Sequence, residues 1–294
     1  MSMLPSSSSG IYLSKTNQND NFDGETFHKF FDCWLAEQKQ LLKELLDAEE
    51  SKTHDDHHHL TDEQVQALIA KVVEHYECYC KAKSKCAKQD VLAMLSPTWR
   101  SSLEEAFLWI GGWRPSMAFQ LLYSKCGLQF EAKLDELTQG LRTCDLGDLS
   151  AEQLGQVDEM QRRTIREERE ITDMLARHQE TVADASMVEL SHHVVGEMMM
   201  MLDDEEKTRG EEGKKKKELE DKVESTLAPK EEGLEEILLK ADDLRLRTLQ
   251  GIVGILTPKQ AIHFLTAAAE LHIMIHEWGK KKDASRTCNQ DSIK

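Results

Sequence analysis

The sequence predicts an all-α protein, a multi-helix bundle of long amphipathic helices, and three observations carry that prediction. Apolar residues recur at helical spacing through most of the chain, and no stretch shows sustained period-two alternation. Capping residues stand where the periodic segments begin. Gly and Pro number only 15 and 5 in 294 residues, too few for a turn-rich β protein. Hydrophobic residues make up 39% and charged residues 31%, which suits a core beneath a strongly charged surface.

Residues 1–24 are rich in Ser, Asn and Asp and read as a disordered tail ahead of one domain spanning 25–280. From Phe27, the positions Phe30, Phe31, Trp34, Leu35, Leu41, Leu42, Leu45 and Leu46 trace a single apolar stripe. The linker from Ser51 to Leu60 carries His54, His57, His58 and His59, which read as a surface loop because nothing fixes their geometry for a metal. Thr61 and Gln64 form a capping box, with Leu60 and Val65 as its hydrophobic staple. Val65, Leu68, Ile69, Val72, Val73 and Tyr76 carry the stripe onward, and Pro97 closes the element.

Ser101 and Glu104 make a second capping box, followed by Leu103, Ala106, Phe107 and Ile110 at helical spacing. Gly111 and Gly112 are expected to stop this helix, because glycine reaches positive φ at little cost. Pro115, after Arg114, is expected to restart it, since a first helical turn does not need its missing N–H. The result is a tight αα corner lined by Trp109 and Trp113.

The following helix is predicted over Pro115–Cys126, ending at Gly127. Ser150 and Gln153 open a long helix through Leu154, Val157, Met160, Ile165, Ile171, Met174, Leu175 and Val182. Met187–Leu202 continues helical, and its run Met198–Met201 suits irregular core gaps. Residues 203–232 are almost free of apolar side chains and read as a flexible charged insertion. The period resumes at Leu234 with Ile237, Leu238, Ala241, Leu244 and Leu249. Thr257, Pro258 and Gln260 supply the N-cap, first and third positions of the last helix, which Gly279 is expected to end, leaving 281–294 as a tail.

Charge and motif content exclude several functions. A net charge of −17 repels phosphate backbones, and the basic runs Lys214–Lys217 and Lys280–Lys282 are short, so direct nucleic-acid binding is not expected. Seven scattered cysteines, without an apolar leader, are expected to be reduced and intracellular. Cys78, Cys80 and Cys86 lie within a helical pattern whose i, i+2 side chains point apart, which favours ordinary thiols over zinc. No apolar run is long enough to span a membrane. Nucleotide-binding, hydrolase and metalloprotease motifs are absent, and the carboxylates lie on charged helical faces, so the protein is not expected to be an enzyme.

The constellation singled out for chemistry is His272 and His276 on the last helix. On a helical wheel His272 falls within the apolar arc of Ala261, Phe264, Ala268, Leu271 and Ile275, with His276 at its edge and His263 on the opposite, solvent side. Residues at i and i+4 project about 5–6 Å apart from one face, which suits a shared small ion but not two trans ligands on one iron. A core role, zinc and haem remain open for the pair. Trp34, Trp109, Trp113 and Trp278 fit either a core or an apolar ligand pocket.

The string from Ser101 to Ser116 resembles the signature of the plant delay-of-germination domain, found alone in seed-dormancy regulators and behind a basic zipper in TGA-type transcription factors. Matching segments are Phe30–Gln38, Asp148–Leu154, and Ala241–Arg245 through Gly254–Pro258 to Leu271–Gly279. The resemblance covers about 25–201 and 232–280. It marks Trp34, Trp109, Gly111, Gly112, Trp113, Arg114 and Pro115 as the motif residues. It implies a non-enzymatic regulator of dormancy, germination and hormone response in the nucleus or cytoplasm, acting through protein partners such as PP2C-type phosphatases. It also implies haem at a histidine pair of the His272–His276 spacing, and a homodimer is the expected self-association. The alternative is a transcription-associated regulator. TGA factors carry a basic region and zipper ahead of this domain, and Lys15 is the one lysine among the first 24 residues.

Overall fold

The computed structural model describes residues 24–50, 61–132, 145–203 and 209–291. The helices are α1 (Gly24–Glu50), α2 (Asp62–Ala87), α3 (Val91–Leu95), α4 (Ser102–Glu105), α5 (Met117–Ala132), α6 (Ala151–Glu180), α7 (Ala185–Asp203), α8 (Arg209–Ile255) and α9 (Pro258–Asp291). Among the described residues the one β contact is an isolated bridge between Trp109 and Gly112. The all-α class stands.

Capping chemistry sets the helix starts. Reciprocal capping boxes open α2 at Thr61 and Gln64 and α4 at Ser101 and Glu104. The same paired bonds link Ser150 with Gln153 ahead of α6 and Thr257 with Gln260 ahead of α9. Each satisfies two backbone N–H groups that a helix start leaves orphaned.

The contacts divide the chain into two compact units where the sequence suggests one domain. The first comprises residues up to 168 and from 241 onward, the second residues 169–240, so the boundary falls within α6 and α8. In the first unit α9 packs against α1, α2, α4 and α5. Its core joins Leu41 and Leu45 to Val65, Ile69, Val72, Phe119, Leu122, Phe264 and Leu265. The second unit buries Ile171, Leu190, Ile237 and Leu238. There Lys230 holds Asp184 at 2.6 Å, and a His178 ring nitrogen lies 2.7 Å from the Lys230 carbonyl.

Several boundaries differ from the sequence reading. The element leading to Pro97 is split in two, because Asp90 caps a new short helix by accepting from the Ala93 N–H. The helix after Ser101 stops at Glu105, so Phe107 lies exposed instead of on a buried stripe. α5 begins at Met117, two residues after Pro115, and runs through Gly127, whose neighbourhood is open and imposes no break. Helix α8 starts at Arg209, so most of the expected charged insertion over 203–232 is helical, with Pro229 inside. The long alternation of acids and bases there is compatible with a solvated helix. Gly279 does not end α9, which continues to Asp291 through most of the expected tail. A Cβ at Gly279 would collide with Ser101 Oγ, so this glycine permits close packing on α4. Residues 1–23 and 51–60, including the His tract, lie outside the described residues. So do the side chains of Met198, Met200 and Met201, whereas Met199 is exposed.

The feature that places the αα corner is a tight turn. Trp109 and Gly112 exchange backbone hydrogen bonds of 2.7 and 3.3 Å around Ile110 and Gly111, both at positive φ (48° and 64°). That pairing is a primed turn, a conformation that a β-branched residue such as Ile110 enters only under strain. Arg245 donates to the carbonyls of Trp109, Ile110 (2.9 Å) and Trp113 (2.6 Å), and Lys83 to that of Gly111 (2.8 Å). Replacing Arg245 with Leu strips the side-chain donor from the carbonyls of Trp109, Ile110 and Trp113 and leaves Asp242 with Lys83 alone. A loss of about 3–5 kcal/mol is expected, read as a lowered chemical-denaturation midpoint.

Candidate functional site

The clamp on this turn is a buried charge cluster. Arg245 pairs with Asp242 at 2.5 Å, and Lys83, which is 1% exposed, reaches Asp242 at 3.1 Å. Burial pulls the Lys83 ammonium down, Asp242 pulls it back up, and it rests at about 8. Two guanidinium groups lie over the Trp109 ring, Arg245 at 5.4 Å and Arg114 at 5.8 Å from its centroid. Gly112 is required here: a Cβ would approach the Arg245 guanidinium to 2.8 Å. Past the turn, Glu168 accepts from Arg114 Nε at 2.9 Å and from the Ser116 N–H at 2.5 Å. Gly111, Gly112, Arg114 and Pro115 thus share one folded junction.

Beside this junction lies a cavity of about 210 Å³, walled by Trp34, Tyr76, Trp113, Leu121, Phe264 and His272, with Lys83, Asp242 and Arg245 at one side. Two residues of this lining, Trp113 and His272, each carry a buried ring nitrogen, Nε1 and Nε2, that lacks a hydrogen-bond partner. His272 sits between the indoles of Trp34 (5.5 Å between centroids) and Trp113 (6.2 Å, edge-on). Burial, helped by the nearby Arg100 charge, pushes the His272 imidazole down to about 3.

His276 has a different environment. Its Nδ1 lies 3.0 Å from Glu104 Oε2, and its ring meets Phe31 edge-on at 5.7 Å. Glu104 is fully buried and also accepts from the Ser101 N–H (2.9 Å) and hydroxyl (2.8 Å). Burial alone would raise this carboxyl. The bonds from His276 and Ser101 and the Arg100 charge bring it down to about 2. The capping residue of α4 is therefore also the partner of His276 on α9.

The chain matches the family model described as DOG1, seed dormancy control, over residues 41–124. It is 30% identical over 260 residues to Protein DOG1-like 3 of Arabidopsis thaliana, covering 86% of this chain and 83% of that protein. The chain belongs to the DOG1 family. It is also 27% identical to RESPONSE TO ABA AND SALT 1 of Arabidopsis thaliana, over 86% of this chain and 94% of that protein. Transcription factor TGA2 of the same plant is 25% identical over 88% of this chain and 66% of its own length.

Within this DOG1-family fold, the tryptophans singled out from sequence separate. Trp34 and Trp113 line the cavity, Trp109 belongs to the turn clamp, and Trp278 is 55% exposed. His263 is not solvent-facing: it lies 3.1 Å from Glu49, because helices surround this part of α9 on several sides. Cys86 is buried and Cys78 and Cys80 half-buried on α2, where burial raises the Cys80 thiol to about 12. Among the described residues no helix is long and apolar enough to cross a membrane.

The histidine pair fits haem only in part. His272 Nε2 has no hydrogen-bond partner and would be the nitrogen to hold an iron, while His276 is committed to Glu104. The cavity, at about 210 Å³, lies below the ~300–1,000 Å³ of sites for drug-sized ligands and does not hold a porphyrin as it stands. Sequence reasoning missed Lys83, Asp242 and Arg245 as individual residues. The signal was there in Lys83, which continues the Val65, Ile69, Val72, Tyr76, Tyr79 stripe at heptad spacing.

His75 resembles His272: it stacks on Trp34 at 4.5 Å, and burial followed by the Lys71 charge holds it at about 3. Both stay neutral in the fold while the unfolded chain takes up protons below about pH 6.5. Between about 6.5 and 3 the unfolded state therefore binds more protons, and stability falls as the pH falls. Thermal midpoints should begin to drop below about pH 6.5 and drop less in His75→Phe and His272→Phe. Unchanged slopes in both variants would contradict the assignment.

Proposed function

We propose that this DOG1-family protein is a non-enzymatic plant regulator of dormancy and hormone response that docks a protein partner on one edge of α9. The observation that carries the reading is an exposed apolar row. Leu271, Met274 and Trp278, at i, i+3 and i+7, are 41%, 42% and 55% exposed, so one side of the helix presents large apolar groups to solvent. An exposed tryptophan among apolar neighbours is the side chain that most often anchors a protein interface.

The names of the relatives, which refer to ABA and salt response and to transcription factors, support a regulatory role, and we assign it to the nucleus or cytoplasm. We assign the partner to the PP2C-type phosphatase class. With a net charge of −17, the protein works beside transcription factors more readily than on DNA. Trp278→Ala and Met274→Glu should leave the thermal midpoint unchanged and weaken capture of a PP2C-type phosphatase by about 30-fold, the effect of losing a hot spot. Full capture by both folded variants would place the docking surface elsewhere.

A second reading rests on the unpartnered His272 Nε2. We propose that, if the cavity opened to admit haem, His272 would hold the iron and His276 would not. Haem would supply a redox- or gas-responsive iron. His276 would position α9 through Glu104, with no bond to the metal. In a hemin titration, His272→Ala should lose any ligated Soret band and His276→Ala should keep one. Loss in His276→Ala with folding intact would overturn the assignment.

A further inference from the structure

We propose that the outward face of α7, in the second unit, docks an amphipathic helix of a partner protein whose apolar stripe is flanked by Lys and Arg.

The face is apolar and open. Val188, Val195 and Met199 are 47%, 56% and 63% exposed, although large apolar side chains are what a helix ordinarily turns inward. At about 100° per residue they share one arc with Gly196 and with a single polar side chain, His192. The opposite side of α7 already packs inward, burying Leu190 and half-burying Met187 and Val194. The helix is therefore apolar on two sides, and the second unit covers one of them.

Gly196 is a second mark of an external contact. A glycine within a helix is destabilising relative to alanine, and at Gly279 the return is close packing against Ser101. A Cβ at Gly196 would meet nothing within 4 Å, so no close approach among the described residues accounts for this glycine. On an exposed apolar face, the bare backbone instead lets a second helix come near.

Charge selects the partner. From Ala185 to Glu206 the charged residues are Glu189, Glu197, Asp203, Asp204, Glu205 and Glu206, with no Lys or Arg among them. Lys230, which reaches the start of α7, is engaged by Asp184 at 2.6 Å. A second copy of the chain would bring the same acids to the same face, and an anionic membrane would add further negative charge. A helix with apolar residues at i, i+3, i+4 and i+7 and with Lys or Arg at the stripe's edges covers the face and complements its acids.

The full chain is titrated with a labelled Leu/Lys peptide of about 14 residues patterned at helical spacing, and binding is read by fluorescence anisotropy. The same peptide with Glu in place of Lys tests charge, and a scrambled Leu/Lys peptide tests the apolar stripe. The patterned Leu/Lys peptide should saturate, bind about tenfold tighter than either control, and weaken as salt rises. Val195→Ser and Met199→Ser should each weaken it about fivefold with the thermal midpoint unchanged, because both side chains are exposed. Gly196→Lys should raise the midpoint, lysine being the better helix former, and yet weaken binding, a split that a purely structural glycine would not give. Trp278→Ala should leave the peptide's affinity as it was, which separates this face from the docking edge of α9. The proposal is overturned if the chain does not bind the peptide, as when its own remaining residues cover α7, or if either control binds as well. It is equally overturned if the three α7 variants bind like the native chain. A native dimer in light scattering that Val195→Ser dissociates would overturn it too, by assigning the face to a second copy.

Discussion

The first unit depends on one arrangement: Arg245, Asp242 and Lys83, brought together from α8 and α2 and closed on the carbonyls of the turn after α4. Buried ions are costly, and an ion pair alone rarely repays their desolvation. Here the cost is met by use of the remaining donors, since Arg245 reaches three carbonyls and Lys83 a fourth. A helix could not present these carbonyls sideways to a cation, because it would spend them on its own N–H groups. That is why the segment leaves helical geometry at Glu105, although its apolar spacing is helical. The strain at Ile110, of order 1–3 kcal/mol, is tolerated because the clamp over-determines the turn.

The second constraint is the crowding around α9. Ala261, Ala267, Ala269 and Gly279 are small where neighbouring helices come close, and Gly279 lets the α4 cap lie against the helix. That approach brings Glu104 to His276 and couples a local feature, the capping box at Ser101, to a residue 172 positions away. The same contact separates the two histidines of one helix face. Four residues apart, one is held by a carboxylate and the other lines an apolar cavity and keeps a buried nitrogen without a partner.

Much of this was legible in the sequence, and the failures have identifiable causes. The capping boxes at Thr61, Ser101, Ser150 and Thr257 read correctly because they are local chemistry, complete within four residues. Helix ends read poorly where glycine served as the signal. Gly127 sits inside α5 in open space and Gly279 inside α9 for packing, and neither role differs in sequence from a terminator. The stretch 209–232 looked like a loop because it lacks apolar residues, yet a solvated helix needs none. In the site, the turn glycines and tryptophans were conspicuous, whereas the clamp was not. Its charges lie 159 residues apart and meet only through the packing of α8 on α2.

Leu271 connects the two surfaces on which function is argued. Its side chain belongs to the exposed row with Met274 and Trp278 and also to the wall of the cavity with His272 and Ile275. A partner that covers Leu271 and a ligand that presses on it from within act on the same side chain. By linkage, any free energy the ligand adds to or takes from partner binding must be returned equally by the partner to ligand binding. The Trp113 part of the lining is less free to yield, because Arg245 pins its carbonyl. Adjustment to an occupant therefore falls on the α9 side, the side that faces a partner.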